Sequence, residues 1–261
     1  MSPISKEEKE AIIQKNREFL QFRLLDVEPS DQEKKLPQPP LYKDPKEGAK
    51  LIDLPKNYRD AIVNNDFLDV IDQRKSDRVY SGETITLLQL SYLLWATQGV
   101  KAIRGQNYAT IRTVPCGGAR HEFECYLLVI NVEGLAAGTY HYLPETHQLE
   151  FLKPVKDAPE MADILMRHQS WVKHSSVQFF WSLLPYRAEW RYSVYAHRII
   201  LVDIGHVGEN LYLAATALGL GTCGIGAFDQ KVCDDLFDFE GTDESTIYSA
   251  TIGVNVKVEK E

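Results

Sequence analysis

Three short segments of this 261-residue chain carry residue types able to do chemistry. The first is Gln73-Arg74-Lys75-Ser76-Asp77-Arg78. A phosphate monoester is bound by guanidinium groups, hydroxyl donors and backbone N–H groups. Arg74, Lys75 and Ser76 supply those types within one turn of chain. The plainer reading is a solvated charge run at a helix end. The second segment, residues 112–121 (RTVPCGGARH), follows Pro115 with Cys116, Gly117 and Gly118. Small residues there let backbone approach a flat ligand closely, although a simple turn before a strand has the same composition. The third, residues 219–226 (GLGTCGIG), contains a literal G-x-G-x-x-G. A dinucleotide fingerprint must follow a strand and open a helix. Here the glycines follow a helical pattern and precede a strand, so the dinucleotide reading fails. A helix stop followed by a close-approach strand fits.

Other candidates are weaker. Arg191-Tyr192 places a permanent cation beside a phenol, with Glu189 close enough in sequence to make a structural ion pair. His206 reads as a packed or capping residue in the first turn of a long helix. Trp171, Trp181, Trp190 and Tyr186 fit core packing, or an aromatic wall over a ligand. Asp234, Asp235, Asp238, Glu240, Asp243 and Glu244 read as a solvated face. No metal is expected, because His121-Glu122 lacks the second histidine of a metalloprotease helix.

Composition narrows the class. With 44% hydrophobic and 25% charged residues, the chain has ordinary globular composition. A net charge of −8 argues against a broad nucleic-acid surface. The first ten residues, MSPISKEEKE, lack the apolar core of a signal peptide. No apolar run is long enough to span a membrane. Four cysteines without CxxC spacing suit reduced thiols, so a cytoplasmic location is expected.

The elements that must position these segments follow from periodicity. Residues 6–24 carry a helical pattern. Residues 29–55 hold six prolines and few apolar periods, and are expected to run extended. Residues 1–69 are therefore read as an N-terminal helix and proline-rich arm wrapping a core domain at 70–261. Within the core, helices are expected over 86–98 (stopped by Gly99), 157–168, 203–218 and 229–236. Strands are expected over 125–132, 177–183 and 247–258, with a hairpin joining 138–142 to 148–152. This mixture lacks regular βαβ alternation. It predicts an α+β fold with a central, largely antiparallel sheet flanked by helices.

Taken in order, the segments resemble the nitroreductase superfamily over residues 70–253, and most of all its SagB-type, azoline dehydrogenase-like branch. The resemblance rests on residues 74–78 (RKSDR), 90–96 (LSYLLWA), 115–121 (PCGGARH), 134–142 (GLAAGTYHY), 203–211 (DIGHVGENL) and 217–221 (ALGLG). It implies an FMN-dependent oxidoreductase that transfers hydride through flavin N5. The donor would be NAD(P)H or an organic reductant, and the acceptor a small organic molecule. It implies that Arg74, Lys75 and Ser76 hold the FMN phosphate and that Arg78 faces the polar edge of the ring. Pro115, Cys116, Gly117 and Gly118 would line the flavin from a partner subunit, and a backbone N–H near Ile225 or Gly226 would point at N5. It also implies a homodimer, with no membrane or nucleic-acid partner. Two positions depart from the pattern. Cys116 stands where the family usually has Ser, and Arg191-Tyr192 stands where azoline dehydrogenases carry Lys-Tyr. Arginine cannot lose its proton as a tuned lysine can. Two alternatives therefore stand beside the small-molecule reading: azoline oxidation on a ribosomal peptide, and a non-catalytic flavin-binding or scaffold module.

Overall fold

In the strand at residues 123–129, Cys125, Leu127 and Val129 pack into one apolar cluster and Tyr126 and Leu128 into another. That alternation is the period-two geometry of a strand buried on both faces, and it sets the layering of the molecule. The computed structural model describes residues 3–256. In chain order these form α1 (Lys6–Leu20), β1 (Lys50–Asp53), α2 (Phe67–Gln73), α3 (Leu87–Gln98), β2 (Val100–Arg104), β3 (Ala109–Arg112) and β4 (Phe123–Val129). There follow β5 (Gly138–Leu143), β6 (Gln148–Pro154), α4 (Ala158–Leu165), β7 (Val177–Leu183), α5 (Pro185–Tyr192), α6 (Ala196–Ala217), β8 (Gly221–Ile225), α7 (Gln230–Phe237) and β9 (Ser245–Gly253).

The main sheet is antiparallel throughout, in the order β1-β6-β5-β4-β7-β9-β8. Side chains of α3 and α6 pack on one face, with Leu90, Leu94, Ile204, Val207 and Leu211 against Leu127, Phe179 and Trp181. Those of α4 and α7 cover the other face, with Ala162, Leu165, Cys233 and Phe237 against Leu128 and Phe180. This is the expected α+β architecture, with β2 and β3 forming a separate antiparallel ribbon. Thr86 closes a capping box with Gln89 at the start of α3, which satisfies helix N–H groups that would otherwise lack partners.

Three expectations are corrected. The 247–258 strand begins at Ser245 and ends at Gly253, and residues 257–258 lie outside the described residues. It forms β9, which sits between β7 and β8, so β8 and β1 are the edges of the sheet. The long helix begins seven residues earlier than expected, at Ala196, because the short α5 ends in a tight turn at Ser193 (φ 47°) that starts the next helix almost at once. His206 is therefore exposed in mid-helix rather than in a first turn. Finally, the acidic tract is not uniformly solvated. Asp234 accepts from Thr246 N (2.7 Å), and Glu244 pairs with Lys43 (2.6 Å) and accepts from Ser182 (2.7 Å).

The arm is tied down by charge. It contributes β1 to the sheet, paired with β6. Lys43 N donates to Glu124 Oε1 (3.0 Å) and Lys46 N to Glu150 Oε1 (2.8 Å). His141 lies between these two carboxylates, 3.0 Å from Glu124 and 3.3 Å from Glu150, and Arg187 pairs with Glu124 at 2.6 Å. Burial alone would raise Glu124, but Arg187 and His141 hold it at about 2. Burial alone would lower His141, yet the two carboxylates raise it above its ordinary value. A raised histidine contributes stability that is present below its unfolded pKa, about 6.5, and lost as pH rises through the folded value. The depressed Glu124 acts on the other side, losing its contribution as pH falls from 4.5 toward about 2. The thermal midpoint of the parent should fall as pH is raised above about 6.5, and His141→Gln should flatten that decline. Melting curves of both proteins from neutral to alkaline pH test this; parallel curves would separate His141 from the effect.

Candidate functional site

Helix α6 organises two of the chemistry-bearing segments at different points along its length. Toward its C-terminal end, Tyr212 accepts from Gly224 N on β8 (2.7 Å) and bonds to Ser76 Oγ (2.9 Å). Arg74 lies 5.4 Å from the centre of the Tyr212 ring, a cation–π distance. Arg74 is also the C-cap of α2, whose N-terminus is capped by Asp66 accepting from Leu68 N and Asp69 N. Asp77 N donates to Thr222 O (2.8 Å) on β8, and the Asp77 carboxylate accepts from Asn255 (3.2 Å) and pairs with Lys75 (3.2 Å). The cationic segment and the glycine-rich segment therefore meet, with Lys75, Ser76 and Arg78 exposed and Arg74 half-buried. The glycine run ends a helix and forms an edge strand, which bears out rejection of the dinucleotide reading. At Gly224 a Cβ would lie within 2.9 Å of Tyr248 Cζ and closer still to its hydroxyl, so a side chain is excluded. Gly226, by contrast, has nothing within 4 Å of a Cβ position. Ile225 pairs with Ser249 in the sheet, and Gly226 lies just past the strand end.

Farther back along α6, Asp203 Oδ2 accepts from Gly117 N (2.8 Å). Tyr212 lies nine positions beyond Asp203 in the helix, a rise of about 14 Å. The Pro115–Gly118 segment therefore sits apart from the Arg74–Arg78 segment within one chain. Arg191 and Tyr192 join it. A Cβ on Gly118 (φ 60°) would lie 2.5 Å from Arg191 Cδ and 2.8 Å from the Tyr192 hydroxyl. Glu189 pairs with His197 (2.9 Å) instead of Arg191, which donates to Tyr108 (2.7 Å) and to Gln32 of the arm (3.1 Å). The aromatic-wall alternative separates by residue. Trp181 is fully buried in the core, Trp190 is nearly so with Nε1 donating to Leu36 O (3.1 Å), Trp171 packs partly buried on the other face, and Tyr186 is exposed.

Sequence reasoning missed Tyr212, Asp203 and Glu122. Glu122 is fully buried, and its Oε2 contacts Cys116 Sγ at 3.2 Å. Burial pushes the Glu122 carboxyl up to about 7, with the Asp203 charge adding to the effect. Burial, with the charges of Glu122 and Asp203, also drives the Cys116 thiol far above its ordinary range. No nearest-neighbour pattern links these residues, since Asp203 lies 81 positions beyond Glu122.

The fold is α+β, with a cationic segment docked on a glycine-rich sheet edge. Residues 71–254 match the family model described as "Nitroreductase family", so the chain belongs to the nitroreductase family. A protein of Methanocaldococcus jannaschii described as a nitroreductase is 34% identical over 160 residues, which is 61% of this chain and 78% of that protein. The trifolitoxin-processing protein of Rhizobium leguminosarum bv. trifolii is 34% identical over 144 residues, 53% of this chain and 38% of that protein. Among solved structures, a nitroreductase-family protein from Anabaena variabilis superimposes with a TM-score of 0.70 at 24% identity, covering 92% of this chain and 46% of the other. This chain thus spans less than half of the trifolitoxin-processing protein and of the Anabaena chain. Among the described residues, no helix is long and apolar enough to cross a membrane.

Gly118→Ala should destabilise the protein by about 1–3 kcal/mol, because it combines a left-handed backbone with a clash. Gly226→Ala should be nearly neutral. Urea denaturation of the pair measures both; equal stabilities would mean that the Arg191–Tyr192 wall yields freely.

Proposed function

We propose that this chain is an FMN-dependent oxidoreductase that takes reducing equivalents from NAD(P)H or an organic donor and delivers them to a small organic acceptor. One observation carries the reading: Tyr212 and Asp77 hold the Arg74–Arg78 segment directly against the glycine-rich edge strand. The donor set suits a phosphorylated flavin. Arg74, Lys75 and Ser76 bring charge-assisted and hydroxyl donors for the phosphate. Arg78 brings a cation that favours negative charge on the ring, and Gly226 leaves backbone open to approach. The flavin supplies two-electron hydride chemistry when bound.

The Pro115–Gly118 segment lies about 14 Å along α6 from Tyr212, and we read it as lining the flavin held by a second copy. A homodimer is therefore part of the proposal. Exposed apolar side chains on α1 and α6 support it. No residue of α1 is buried, although it carries Ile12, Ile13, Phe19 and Leu20, and Leu201 and Val202 stand out from α6.

A second reading, oxidation of an azoline in a peptide, is favoured by the similarity to a toxin-processing protein. In that reading Tyr192 handles the proton beside Gly118. Arg191, which stays charged, orients it and meets substrate charge. Residues 1–69 act in both readings as an arm around the domain at 70–261.

Purified protein should be yellow, bleach under anaerobic NADH or NADPH, and turn over quinones or nitroaromatics. Flavin that is reduced by neither nucleotide but is reduced by an azoline peptide would favour the second reading. Flavin that turns over with nothing would favour a scaffold. Arg74→Ala removes charge-assisted bonds worth roughly 1.5–3 kcal/mol. It should raise the FMN dissociation constant about ten- to a hundredfold, read by fluorescence titration of apoprotein. An unchanged constant would place the phosphate elsewhere. Light scattering should give twice the 29.7 kDa chain mass, and a fully active monomer would sink the shared site.

A further inference from the structure

Glu122 and Asp203, which the proposed flavin site does not use, form a cluster with Cys116 of the Pro115–Gly118 loop. One ligand-type atom from each lies within 4.8 Å of the other two. Glu122 and Asp203 are buried, at 0% and 4% exposure, and Cys116 is half-buried. Among the described residues, no lysine or arginine forms an ion pair with either carboxylate; the exposed His206 ring lies 3.8 Å from Asp203. Glu122 Oε1 is fully buried and has no hydrogen-bond partner. The Arg187 charge acts on Glu122 only from beyond ion-pair distance, and buried carboxylates are normally paired or bound to a metal.

We propose that Cys116, Glu122 and Asp203 bind a divalent cation of the zinc class. One thiolate and two carboxylates are a zinc-type donor set, and three protein ligands leave a fourth position for water. Carboxylates alone would suit magnesium or calcium, but the sulfur shifts preference toward a softer ion. The Cys116 Sγ to Glu122 Oε2 separation of 3.2 Å is already close to the spacing of neighbouring ligands around such an ion, about 3.3–3.8 Å from the bond lengths. The surrounding backbone orients the ligands. His121 N donates to Cys116 Sγ (3.1 Å) and Gly117 N to Asp203 Oδ2 (2.8 Å), which is the support that outer hydrogen bonds give a metal site. Binding releases the thiol proton to solvent, so uptake falls at acid pH. The ion would tie the Gly117–Gly118 loop to α6 more firmly than the single hydrogen bond from Gly117. The inference does not depend on the flavin assignment, because its donors come from this chain alone.

The test uses the full-length protein, stripped with a chelator and equilibrated against zinc. Metal analysis should find one zinc per chain, and Cys116→Ser, Glu122→Gln and Asp203→Asn should each weaken binding about tenfold or more. Flavin content, measured on the same samples, separates a lost metal from a failed flavin site. X-ray absorption on the zinc-loaded parent needs no variant and should show one sulfur with oxygen or nitrogen neighbours. A parent that takes up no stoichiometric zinc, or a zinc shell without sulfur, overturns the proposal.

Discussion

The structure depends on one long helix laid across the sheet and used at two points. Its apolar face, through Ile204, Val207, Leu211 and Ala215, is buried against the sheet, which fixes both position and rotation of the helix. Once that face is fixed, Asp203 must point toward the Gly117 loop and Tyr212 toward Ser76 and Gly224. Burial thus supplies the force, and the two polar outposts turn it into placement. None of these three hydrogen bonds is individually large, at roughly 0.5–3 kcal/mol net. Their effect is to select one arrangement of two otherwise irregular loops.

Charge does similar work for the arm. A proline-rich stretch cannot supply its own ladder or core, yet here it lies along the sheet. The buried Glu124–His141–Glu150 group gives it fixed acceptors for Lys43 N and Lys46 N. Arg187 joins this group from α5, so the arm and the helix carrying Arg191 and Tyr192 share one electrostatic anchor. The arm also reaches the site directly, since Gln32 holds the Arg191 guanidinium. The N-terminal extension is therefore part of the wall around the Gly118 loop.

The Cys116 neighbourhood shows the reverse situation. Two buried carboxyl groups and a thiol are brought together there with no ion-pair partner from lysine or arginine among the described residues, and burial drives Glu122 and Cys116 toward their neutral forms.

Local sequence determined a great deal. The 177–183 strand, the hairpin at 138–152, the capped helix ending before Gly99 and the α+β class all follow from period and turn chemistry, which act over a few residues. The cationic segment, the glycine-rich strand and the loop at Cys116 could be named because residue type alone marks them. Tertiary structure decided the rest. The insertion of Ser245–Gly253 between β7 and β8 is a matter of sheet order, which periodicity does not encode. The start of α6 was hidden because its first turns follow α5 almost without a break. Glu122 and Asp203, like Ser76 and Tyr212, carry no mutual signal in sequence. Contact across 81 or 136 positions exists only after the core has fixed the elements that bear them.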